Sequence, residues 1–140
     1  MLRITGMSFD GEVVARHGDQ TLLVPGTARG DVVEARLDRD ERGRVQASAV
    51  RVTTASPYRV VERCAHAAEC GGCTWQHVAY AEQLAVKRRH VETLLHRELD
   101  GDTPRVAEVI GADPACLDAA GMPWGFRHKA SFVVGRGNTG

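Results

Sequence analysis

The chain has 140 residues, with 18 basic side chains against 18 acidic ones and zero formal net charge. That length allows one ordinary domain or two small ones, and the balance fits a globular chain. It lacks the basic excess that marks many nucleic-acid binders, although a neutral total still permits a basic face. No apolar run approaches the length of a bilayer span, and the N-terminus lacks the apolar stretch of a signal peptide. The expectation is a cytoplasmic monomer with no membrane partner.

Residues 1–57 read as five short strands separated by turns. The first lies near Leu2 to Met7. Glu12 to Arg16 follows Asp10-Gly11, and Gln20 to Val24 follows Gly18-Asp19. Pro25-Gly26 and Arg29-Gly30-Asp31 break the chain before Val32 to Leu37. A charged turn, Asp38 to Gly43, leads to Val45 to Val52. There Val45, Ala47 and Ala49 alternate with Gln46, Ser48 and Val50. Regular short strands with Gly-rich turns point to a small barrel, and five strands suit the OB type. Gly11-Glu-Val-Val-Ala15, Leu23-Val-Pro-Gly26, Gly30-Asp-Val-Val33 and Ser56-Pro-Tyr-Arg59 resemble the TRAM domain, a small RNA-binding barrel. Ser56-Pro57-Tyr58 reads as the linker, because proline favours an extended residue before it.

The second unit, residues 58–140, opens on Cys64, Cys70 and Cys73, spaced C-x5-C-x2-C. Crowded thiols suit zinc, copper(I) or iron–sulfur centres, whereas hard cations prefer oxygen. Gly71-Gly72 allows a tight turn whose N–H groups can face an anionic cluster. With His77 as fourth ligand the spacing would close a zinc site; with a fourth ligand elsewhere it suits a [4Fe–4S] cluster. Spacing leaves both open. Such a centre would also help to hold a unit too small for a large core.

From Ala79 to about Leu99 the pattern is helical, with Leu84, Val91, Leu94 and Leu95 as its apolar stripe. Lys87, Arg88, Arg89 and His90 form a basic cluster, either a solvated face or a set of phosphate contacts. Arg105 to Ile110 is a strand candidate. Phe126 to Val134 alternates, which sets Arg127 and Lys129 side by side on one face as a candidate RNA contact. Cys116 lies in Asp113-Pro-Ala-Cys-Leu and reads as a packed thiol.

C-x5-C-G-G-C-x-W-Q-H, followed by Tyr80-x-x-Gln83-Leu84-x-x-Lys87, resembles the TrmA/RumA-type RNA (uracil-5-)-methyltransferases. These SAM-dependent enzymes carry an iron–sulfur middle domain. The resemblance implies that Cys64, Cys70 and Cys73 hold a [4Fe–4S] cluster whose fourth ligand lies outside this chain. It implies rRNA or tRNA as partner, with rRNA favoured by the TRAM-like unit. SAM would enter only through a C-terminal catalytic domain beyond these residues. There, by the same resemblance, a cysteine attacks C6 of uridine before the methyl reaches C5. Pro123 to Ala130 resembles the segment that opens the family's central β-structure, with Phe126 and His128 in place of its usual tyrosine and asparagine. The expected architecture is mainly β plus α: an OB-like barrel, then part of an α+β iron–sulfur domain. The rival is a stand-alone RNA-binding module with a zinc or iron–sulfur knuckle.

Overall fold

The computed structural model describes residues 1–9, 11–39, 45–67, 72–99 and 103–126. Within them, β1 (Leu2–Met7), β2 (Val13–His17), β3 (Gln20–Leu23), β4 (Val32–Arg39) and β5 (Val45–Thr54) form one antiparallel sheet. Its order is β3-β2-β1-β4-β5. The edge strands β3 and β5 also touch, so the sheet curls towards a barrel. The expected strands agree with these spans to within two or three residues at each end.

Alternation builds the core. Leu2 and Ile4 of β1, Val13 and Ala15 of β2, Leu22 of β3, Val33 of β4 and Ala47 of β5 point inward with Val24. The β2–β3 hairpin closes at His17 and Gln20, with Gly18 at φ 59 in the turn. A left-handed residue there matches the right-handed twist of the flanking strands.

Simple alternation fails in β5. Ala35 faces Ala49 and Glu34 faces Arg51, so Val50 has no partner across the ladder and is 65% exposed. A bulge of this kind bends the strand and increases its twist. It also resets the phase: Val52 returns to the core, and Arg51 turns outward to Glu34, 3.2 Å away. In an unbulged strand, alternation from Ala47 and Ala49 would turn the guanidinium to the apolar interior.

The helix α1 (Tyr80–Glu98) sits where its sequence places it, but a different face is covered. Val91 and Leu94 of the expected stripe are 45% and 38% exposed, while Glu82 and Val86 are buried. Glu82, Val86 and His90 recur at helical spacing and form the side towards the barrel. That side is held by polar contacts, which hydrophobic periodicity does not detect. Arg105 to Ile110 is not a strand: residues 103–112 run without a ladder partner, and Ile110 is 96% exposed. Ala112 N instead donates to the Tyr80 hydroxyl at 2.7 Å. A short 3-10 turn, Pro114–Cys116, follows. The strand proposed from Phe126 to Val134 lies outside the described residues beyond Phe126. Among the described residues no helix is long and apolar enough to cross a membrane.

Candidate metal and nucleic-acid site

The cysteine loop leaves and rejoins the fold through a narrow neck. Arg59 bridges Val78, Val60 N donates to His77 O at 3.0 Å, and Ala79 N donates to Tyr58 O at 2.8 Å. Gln76 Oε1 accepts the Cys64 N–H at 2.7 Å and ties the start of the loop to its end. Gln83 Nε2 donates to Trp75 O at 3.1 Å and to Val78 O at 2.8 Å. Two carboxamides therefore hold the backbone at Cys64 and at Trp75 to Val78.

Cys64 is half-buried, Cys73 is exposed, and both are free thiols. Cys70 lies outside the described residues. Among the described residues no three His, Cys, Asp or Glu side chains gather as a metal set, so Cys116 does not join Cys64 and Cys73. Cys116 sits in the 3-10 turn, where its N donates to Asp113 O at 2.8 Å and its O accepts from Trp124 N at 2.9 Å. His77 does not face the thiols. Its ring is buried, with Nε2 2.8 Å from Thr27 O and Nδ1 3.6 Å from a Glu62 oxygen. A carbonyl only accepts, so Nε2 carries a proton and is committed to Thr27. The described loop thiols are Cys64 and Cys73, and sulfur donors of this kind suit a soft metal centre rather than a hard cation.

Trp75, Gln76 and His77 act in three directions. While Gln76 holds Cys64, the flanking residues reach the barrel. Trp75 Nε1 donates to Gly11 O at 2.7 Å, and His77 donates to Thr27 O. Gly11 has φ 83, and a Cβ there would lie 3.3 Å from the indole. On α1, His90 Nε2 lies 3.0 Å from Met7 O, and its ring stacks at a tilt on Phe9, 4.8 Å between centroids.

Two buried carboxylates complete the seam. Asp31 is fully buried and accepts from Ala28 N at 2.7 Å, Ser56 N at 2.8 Å and the Arg59 guanidinium at 2.9 Å. Burial alone would push its carboxyl up, but Arg59 and the two N–H groups outweigh that and hold it below the ordinary range. Glu82 Oε1 lies 2.7 Å from both Arg29 and Arg89. There too burial pushes up and the two guanidinium groups prevail, leaving the carboxyl low. Arg29 also stacks on the Tyr58 ring at 4.6 Å. The boundary expected after residue 57 therefore runs through a network with partners on both sides of it.

Of the candidate RNA residues, Lys87 is exposed and Arg88 pairs with Glu92 at 2.9 Å. Neighbouring Arg89 is engaged with Glu82. Arg127 and Lys129 lie outside the described residues. Sequence reasoning missed Asp31, Arg29 and Glu82 altogether. A Glu82 on the helix face opposite the apolar stripe gave no warning of burial. It also missed a groove of about 1240 Å³ between the cysteine loop and residues 118–126, bordered by Cys73, Val61, Met122 and Trp124.

Residues 2–50 match the TRAM domain. The chain is 34% identical over 139 residues to an RNA methyltransferase of Synechocystis sp., a match covering 99% of this chain and 28% of that protein. It is 31% identical over 133 residues to the 23S rRNA (uracil(1939)-C(5))-methyltransferase RlmD of Alkalilimnicola ehrlichii, covering 95% of this chain and 28% of the relative. A solved structure, Pyrococcus abyssi tRNA (uracil-54, C5)-methyltransferase in complex with S-adenosyl-L-homocysteine, is 32% identical with a TM-score of 0.45. That match covers 72% of this chain and 22% of that one. The chain thus spans about 28% of the length of these curated relatives. With a TRAM domain at residues 2–50 and relatives aligned through the cysteine loop, the chain belongs to the RNA (uracil-C5-)methyltransferase family.

Proposed function

We propose that this chain is the RNA-gripping and iron–sulfur portion of a SAM-dependent RNA uracil-C5 methyltransferase acting on 23S rRNA. The observation that carries the reading is the identity to an RlmD protein, which runs over 133 residues and so includes both the TRAM domain and the thiol loop. In this reading Cys64, Cys70 and Cys73 hold a [4Fe–4S] cluster whose fourth ligand lies beyond these residues. The cluster supplies a fixed anionic cross-link rather than a reacting centre. The chain's own residues do the orienting: Gln76 and Gln83 set the thiol backbone, and Trp75 and His77 seat it on the barrel. The barrel tracks the RNA backbone through cationic contacts that position the strand without reading it.

The test uses anaerobically prepared chain. Iron is counted, and affinity for a 23S rRNA fragment and for tRNA is read by anisotropy across a salt series. Expected are about four irons per chain after reconstitution and tighter binding to the rRNA fragment. Affinity should fall linearly with salt on a log–log plot, by about 0.7 per phosphate contact for single strands. Stoichiometric zinc without iron would favour a zinc knuckle, preference for tRNA would move the substrate, and absence of RNA binding would overturn the reading.

A further inference from the structure

The groove beside the cysteine loop holds an arrangement that the contacts described so far leave unused. Trp124 is 42% exposed and Phe126 54% exposed, two large rings separated by one glycine. The backbone at Trp124 is tied down: Trp124 N donates to Cys116 O at 2.9 Å, and Leu117 bridges Pro123. The Arg63 guanidinium lies over one face of the indole, 4.3 Å from its centroid. Asp118 Oδ2, 3.6 Å from Arg63, holds the guanidinium in that place. Val61, 96% exposed, extends the apolar wall.

We propose that Trp124, with Arg63 set against it, is a stacking site for one unpaired nucleobase of single-stranded RNA. The inference rests on the RNA-binding reading above and deepens it by naming a site. Three features select this occupant. A flat ring with open area and a fixed backbone accepts any base, since every base has a π face. A guanidinium beside the ring favours a ligand that brings phosphate next to its flat surface, which an uncharged apolar ligand does not. The groove is larger than one base needs, so neighbouring nucleotides can continue along it towards Cys73. The RNA strand would then pass directly over the thiol loop, which gives that loop's rigid neck a purpose in positioning.

The chain contains two tryptophans, and Trp75 is committed to Gly11, so emission can separate them. Oligouridylate of about ten nucleotides, within the usual single-strand site sizes, is titrated into wild type, Trp124→Phe, Trp124→Ala and Arg63→Ala. Anisotropy of labelled RNA and tryptophan emission are read in parallel, with circular dichroism as the check on folding. Wild-type emission should be quenched on binding. Trp124→Phe should bind with near-wild-type affinity but lose the quenching. Trp124→Ala should weaken binding about 5- to 150-fold, the cost of one stacked base, and Arg63→Ala by less. If Trp124→Ala binds as tightly as wild type, the stacking site is wrong while the RNA reading stands. If quenching persists in Trp124→Phe, Trp75 is the reporter and the site is wrong. If wild type binds no RNA, both fail. A concentration-dependent emission change without RNA, matched by dimer in sedimentation, would make a second copy the occupant and overturn the proposal.

Discussion

Replacing Asp31 by alanine should cost about 3–5 kcal/mol, the usual price of removing one partner from a buried ion pair. The side chain is fully buried and is the acceptor for Ala28 N, Ser56 N and the Arg59 fork. Its loss strands two N–H donors, each worth about 1–3 kcal/mol when buried without a partner. It also leaves Arg59, only 24% exposed, without its anion. The measured sum is smaller than the parts, because Arg59 Nη2 keeps its bond to Gly26 O at 2.8 Å. Against a typical domain stability of about 5–15 kcal/mol, that is about a fifth of the total or more. The control is Asp38→Ala. Asp38 pairs with Arg36 at the same 2.9 Å, but both are well exposed, 59% and 71%. A pair in water is worth about 0–1 kcal/mol. Urea unfolding followed by far-ultraviolet dichroism reads both. A change below about 1 kcal/mol for Asp31→Ala, equal to the surface control, would refute the claim that burial turns this pair into a structural fastener.

The remaining expectations are independent of one another. Asp31 and Glu82 both have carboxyls held low in the folded state. Their stabilisation is therefore complete above the unfolded carboxylate pKa, about 4, and is lost as pH falls through the lower folded values. An acid stability profile of Glu82→Gln should be flatter than wild type over that window, and a parallel profile would count against the Arg29–Glu82–Arg89 bridge. Gly11→Ala combines a left-handed φ with a Cβ at 3.3 Å from the Trp75 ring. It should cost about 1–2 kcal/mol in urea unfolding, and a neutral result would mean the loop yields. Cys116→Ser should leave the iron content of reconstituted protein unchanged, while Cys70→Ser should lose iron; equal loss would make Cys116 a ligand.

Much of the barrel was legible because its physics is local. Alternation and glycine turns placed five strands. The bulge at Val50 was not legible, since nothing in Ala49-Val50-Arg51 announces which residue will lack a partner. The helix was legible in extent but not in orientation. Periodicity finds apolar faces, and the side of α1 towards the barrel is fixed by Glu82 and His90. The thiol spacing was visible at once, yet the work of Trp75, Gln76 and His77 was not. Their partners are the backbone groups Gly11 O, Cys64 N and Thr27 O, which every sequence possesses and no sequence marks.

The same polar seam explains why the thiol loop and the barrel belong to one frame. An apolar interface shifted out of register loses packing; moving Glu82 away from Arg29 and Arg89 would in addition leave a buried charge short of partners. Trp75, His77 and His90 impose the same condition at three further points on the barrel, each meeting a single carbonyl. Misplacement at any of them leaves a polar group without its bond. The arrangement therefore fixes the direction in which the cysteine loop faces relative to the TRAM sheet. A strand of RNA held on the barrel would then meet the loop and the groove beside it at a set distance. Here that constancy rests on buried ion pairs and hydrogen bonds.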